Sequence, residues 1–83
     1  MQEQEILQKV KEVVAERLGV EIEKVTPQAR YQEDLNADSL DVVDLVMALE
    51  DAFQVKIPDA DAGKIKTVQE TVDYLKKALK GEA

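Results

Sequence analysis

Asp38-Ser39-Leu40-Asp41 is where this sequence comes nearest to chemistry. Asp38 is a good helix N-cap, Asp41 stands three residues on, and Ser39 falls in the first turn. A hydroxyl there lies beside unpaired backbone N–H groups and the positive end of the helix dipole. That is a favourable place for a phosphate group. Ser39 is not a hydrolase nucleophile, because the chain has no histidine to serve as its base. It also has no cysteine, which excludes disulfides, thiolate metal sites and a thiol nucleophile. Asp59, Asp61, Thr67 and Glu70 have the ligand spacing of a calcium-binding loop. That reading fails at the turn, where Gly63 replaces an oxygen ligand and Lys64 the required glycine, and no metal site is assigned. On residue types alone, Asp38-Ser39 is first of all an ordinary helix beginning.

The elements that must position these residues are helical. Ile6, Leu7, Val10, Val13, Val14 and Leu18 recur at helical spacing, and Gly19 is placed to end that helix. Periodicity is then lost until Asp38, with a turn at Thr26-Pro27 that could open a short helical stretch. So long a loop has to be pinned by its own apolar residues, and Val20, Ile22, Val25, Tyr31 and Leu35 are available. A second helix spans about Ser39 to Phe53, and Asp59 to Lys64 holds at most a turn or two. Val20-Glu21-Ile22 and Val55-Lys56-Ile57 alternate too briefly for strands and read as apolar pegs in loops. Thr67 and Glu70 have capping-box spacing and open a last helix through Val68, Val72, Leu75 and Leu79. The expected fold is all-α: a small bundle of three main helices plus one short helix, with a long loop between the first and second. Residues 1–83 form a single domain, with an ordered core at about 3–80.

Turning the second helix by about 100° per residue separates two apolar faces. Val42, Leu45, Val46, Leu49 and Phe53 make a core stripe. Leu40, Val43 and Met47 lie opposite, among Asp44, Glu50 and Asp51 and flanked by Asp41. One helix of so small a bundle cannot bury both faces, so the second reads as a docking strip of apolar anchors ringed by acids. The flexible thioether of Met47 suits a surface that meets several partners.

Eleven basic residues against eighteen acidic ones give a net charge of -7, the reverse of a nucleic-acid binder. Such a surface favours basic protein partners and steers their approach. The first residues lack the basic-then-apolar pattern of a secretory signal. The longest apolar run, Leu45 to Leu49, is far short of the roughly 20 residues of a membrane span. The expectation is a soluble, cytoplasmic monomer that inserts into no membrane and binds no nucleic acid.

Asp34-Leu35-Asn36-Ala37-Asp38-Ser39-Leu40-Asp41 resembles the attachment motif of acyl carrier proteins. The likeness continues through Val46-Met47-Ala48-Leu49-Glu50, Phe53, Ile57-Pro58-Asp59, Lys64-Ile65-Lys66-Thr67-Val68 and Val72-Asp73-Tyr74-Leu75. The resemblance implies a non-catalytic carrier. Its Ser39 would receive 4′-phosphopantetheine from coenzyme A through a phosphopantetheinyl transferase, with Asp38 beside it. Growing acyl chains would ride on that arm as thioesters in fatty acid biosynthesis of the dissociated kind. It also implies docking of ketoacyl synthases, reductases, dehydratases and acyltransferases, through basic patches, on Leu40, Asp41, Val43, Asp44, Met47, Glu50 and Asp51. Tyr31, Leu35, Leu49, Ile57, Ile65 and Tyr74 would line an acyl-chain cavity, although ordinary core packing explains those six equally well. A carrier for polyketide or peptidyl or alanyl transfer, and an acidic helical adaptor without an arm, are the alternatives. Three residues depart from the family pattern. Asn36 stands where glycine is common but tolerates left-handed backbone. Asp44 replaces the commoner glutamate, and Gly63 weakens the short helix.

Overall fold

The first periodic segment folds as α1, Glu3–Leu18, in a computed structural model that describes residues 2–81. Met1, Glu82 and Ala83, the ends of the expected domain, lie outside the described residues. Gly19 ends α1 in left-handed geometry, φ 66°, which costs a residue without Cβ nothing. The second helix, α2, runs Ser39–Phe53, the short α3 is Asp59–Ala62, and α4 is Val68–Gly81. Three main helices, one short helix and a long first loop are thus the observed architecture. Among the described residues there is no strand, only one isolated antiparallel bridge between Arg30 and Thr67.

The long loop departs from expectation at two points. Its helical turn is a 3-10 turn at Ile22–Lys24, before Thr26-Pro27 rather than after it. Pro27 sits instead at the second position of a β-turn, closed by the Ala29 N–H on the Thr26 carbonyl at 3.0 Å. The carbonyls a helix would need here are committed elsewhere. That of Pro27 accepts from Gln69 N–H at 2.9 Å and that of Ala29 from Val68 N–H at 3.1 Å. The first N–H groups of α4, which have no partner within a helix, are satisfied in this way. Glu70 N–H, the next, goes to Thr67 Oγ1 at 3.1 Å, and Thr67 N–H returns to Glu70 Oε1 at 3.0 Å, completing the capping box. The second departure is Ile22, which stays exposed and pins nothing, while Val25, Tyr31 and Leu35 are buried and Val20 partly so.

The core lies where the main helices converge. It joins Ile6, Val10 and Val14 of α1, Leu45, Leu49 and Phe53 of α2, and Val68, Val72 and Leu75 of α4. Val55 and Ile57 are buried pegs of the α2–α3 loop, and Ile65 closes the far side of α3. α3 itself buries no residue.

Candidate functional site

Backbone geometry throws Ser39 outward. Asn36 adopts φ 59°, reversing the chain, and Ala37 behind it is buried with its N–H on the Tyr31 carbonyl at 2.9 Å. Asparagine thus supplies the left-handed turn in place of glycine. Asp38 then caps α2: its Oδ1 accepts from Asp41 N–H at 2.9 Å, and Asp41 Oδ2 accepts from Asp38 N–H at 3.2 Å. Each carboxylate gives one oxygen to this reciprocal cap, and Asp38 anchors the helix start. Ser39 follows, exposed, at the first helical position. Its own N–H and that of Leu40 have no acceptor within the helix, so the positive end of α2 surrounds the hydroxyl.

The segment before this turn is braced by Arg30, which approaches Glu33 at 2.8 Å and Asp34 at 3.3 Å. Asp34 Oδ2 also accepts from the Arg30 backbone N–H at 2.9 Å. That bond, then the guanidinium bond, holds the Asp34 carboxyl below its ordinary value.

The outer face of α2 carries Leu40 at 78%, Val43 at 56% and Met47 at 62% exposure, far above any core residue. The acids around these anchors are not equivalent. Asp41 belongs to the cap, and Asp44 faces Arg17 of α1 at 3.9 Å. Glu50 is half-buried and accepts from Ile57 N–H at 2.7 Å, fastening the α2–α3 loop. Asp51 is exposed.

An open groove of about 640 Å³ begins beside Ser39 and runs between α2 and α3, lined by Val42, Val43, Val46, Met47 and Ile57 among others. A second, of about 440 Å³, has Tyr31 and Ile65 in its lining. Neither groove has all six candidate cavity residues in its lining. Leu35 and Leu49 are buried in the core, and Tyr74 is half-buried with its hydroxyl donating to Asp61 Oδ2 at 2.9 Å. Burial first, then Asp61, raises the Tyr74 phenol above its ordinary value.

Residue-type reasoning did not single out Thr71, the one buried polar side chain among the described residues. The only signal was its position in α4, one residue before Val72 of the apolar stripe.

A protein-family model described as "Phosphopantetheine attachment site" matches residues 8–75. A protein of Rubrobacter xylanophilus named "Acyl carrier protein" is 57% identical over 75 residues, covering 90% of this chain and 93% of the relative. A protein of the same name from Thermosynechococcus vestitus is also 57% identical over 75 residues, with the same coverage. The solved structure of an acyl carrier protein from Enterococcus faecalis superposes with a TM-score of 0.77 at 42% identity, covering 94% of this chain and 99% of that one. The chain belongs to the acyl carrier proteins, the family whose members are carriers rather than enzymes and hold a covalently attached 4′-phosphopantetheine.

Proposed function

We propose that Ser39 is the residue that bears the 4′-phosphopantetheine arm, and that the carrier presents acyl chains on it to the enzymes of fatty acid synthesis. The observation that carries this reading is the placement of Ser39, an exposed hydroxyl in the first turn of α2 between a capped helix start and an apolar, acid-ringed strip. The residues fit the group. The free N–H groups of the first turn and the helix dipole would hold a phosphodiester, and the neighbouring groove gives the arm room. The arm supplies a thiol that holds an acyl group as a thioester. Attachment is the work of a separate transferase.

Leu40, Val43 and Met47, with Asp41, Asp44, Glu50 and Asp51, form the surface that the transferase, synthases, reductases, dehydratases and acyltransferases meet through basic patches. Each encounter is brief, because one carrier serves many enzymes in turn. The acyl chain shelters between α2 and α3, reached through the groove at Ser39, with Tyr31, Ile57 and Ile65 nearest its path. Leu35, Leu49 and Tyr74 lie behind them. The carrier works in the cytoplasm as a monomer. Among the described residues no helix is long and apolar enough to cross a membrane.

Intact mass after incubation with coenzyme A and a carrier-protein phosphopantetheinyl transferase tests the attachment. The parent chain gains one phosphopantetheine and Ser39→Ala gains none. A gain on Ser39→Ala would overturn the assignment.

A further inference from the structure

The two grooves beside α3 share Gln32, Val42, Ala62 and Gly63. The grooves adjoin at these residues, one beginning beside Ser39 and the other, which Arg30, Glu33, Lys66 and Glu70 also line, touching Tyr31. Tyr31 heads the fully buried side chains in size and is 1% exposed. Its hydroxyl is bonded to Thr71 Oγ1 on α4. The Thr71 hydroxyl donates to the Thr67 carbonyl at 3.0 Å, which uses its only hydrogen. Tyr31 is therefore the donor to Thr71. A buried chain of hydrogen bonds, Tyr31 to Thr71 to Thr67, fixes the phenol ring behind the second groove.

We infer that the Tyr31–Thr71 pair is a polar stop that sets how long an acyl chain this carrier shelters. The inference rests on the reading that the chain enters between α2 and α3. Each added methylene gains by leaving water only while apolar atoms receive it. At Tyr31 further advance must swing the ring aside and pull its O–H from Thr71 where no water replaces the bond. A buried donor left unpaired is costly. Phenylalanine at the same place keeps the ring but not the tie. Thr71 would still donate to Thr67, so no buried hydrogen is orphaned and the ring can turn. The hydroxyl, rather than the ring volume, is thus the specificity-determining feature.

The test places arms bearing saturated acyl groups of increasing length on Ser39 of the parent, Tyr31→Phe and Thr71→Ala, each verified by mass. The thermal midpoint of every loaded protein is compared with that of the same variant carrying an unacylated arm. In the parent the gain rises with chain length and then levels off. In Tyr31→Phe the levelling-off moves to longer chains. Thr71→Ala, which unties the ring from the other side, moves it the same way. A levelling-off at the parental length in both Tyr31→Phe and Thr71→Ala overturns the polar stop alone. A gain independent of chain length in the parent overturns the sheltering reading with it, while attachment at Ser39 stands on the mass data.

Discussion

The Asp34 carboxylate accepts two hydrogen bonds from Arg30, from its backbone N–H and its Nε, just upstream of the turn that presents Ser39. Because the folded state favours the ionised carboxyl, the stability this residue contributes is present above its unfolded value, near 3.8, and is lost as pH falls through the lower folded value. Asp34→Asn should therefore lower the thermal midpoint at neutral pH, with the gap to the parent closing once the pH drops below about 3.8. Melting curves across acid pH check this, and a gap that widens in acid would contradict it. The effect is small in size, since both side chains are exposed and screened by solvent. Glu50 shows a different residue-scale lesson. Its carboxylate carries charge on the outer side of α2 and also fastens Ile57, so an alanine there would disturb docking and loop together.

Among the elements, α3 is the least supported. It has four residues, none buried, and Gly63 follows it with ordinary right-handed backbone, φ -67°. A Cβ on Gly63 would meet nothing nearer than the Ala60 carbonyl oxygen at 3.9 Å. Glycine there serves no backbone purpose and only enlarges the freedom of the unfolded chain. Gly63→Ala is expected to stabilise the protein by about 0.4–1 kcal/mol, read as a higher urea midpoint with an unchanged slope. A lower midpoint would mean that the residue beside both grooves is needed bare. The contrast is Gly19, whose φ of 66° is strained for a residue with a Cβ. Asn36 and Gln54 meet the same left-handed requirement at φ 59° and 57° without glycine. Gln54 is helped by its side-chain bond to the Asp51 carbonyl at 2.8 Å.

For the molecule as a whole, the net charge of -7 and the exposed anchors of α2 act together. The Arg17–Asp44 pair, at 3.9 Å between exposed groups, contributes little to stability and yields readily to a cationic partner. Association with a cognate synthase should slow as salt rises from about 0.05 to 0.2 M, because the screening length shrinks through the 10 Å range. Met47→Ala should weaken that association while changing stability by less than about 0.5 kcal/mol, as its side chain rests on no core atom cluster. Stopped-flow rates with a synthase, beside melting of the free carrier, separate the two effects. Rates that ignore salt would remove steering from the account.

Helix limits were legible along the chain because what sets them is local. Gly19, the Asp38–Asp41 box and the Thr67–Glu70 box each act within three or four residues, and apolar spacing marks which face of each helix is buried. Exposure of Ser39 and of Leu40, Val43 and Met47 followed from the same local geometry, since one helix in a bundle this small can bury only one side. Contacts between residues distant in sequence had no such signature. The Pro27 and Ala29 carbonyls are claimed by N–H groups some forty positions away, which replaced the expected helix by a turn. Ile22 stays exposed although the apolar pattern of the loop offered it to the core. Glu50 found the Ile57 N–H seven residues on, and Tyr31 found Thr71 forty residues on. Amino-acid order by itself determined where helices start, stop and turn their apolar faces. Which buried polar groups pair was decided only by tertiary packing, because a hydrogen-bond partner is chosen by proximity in space.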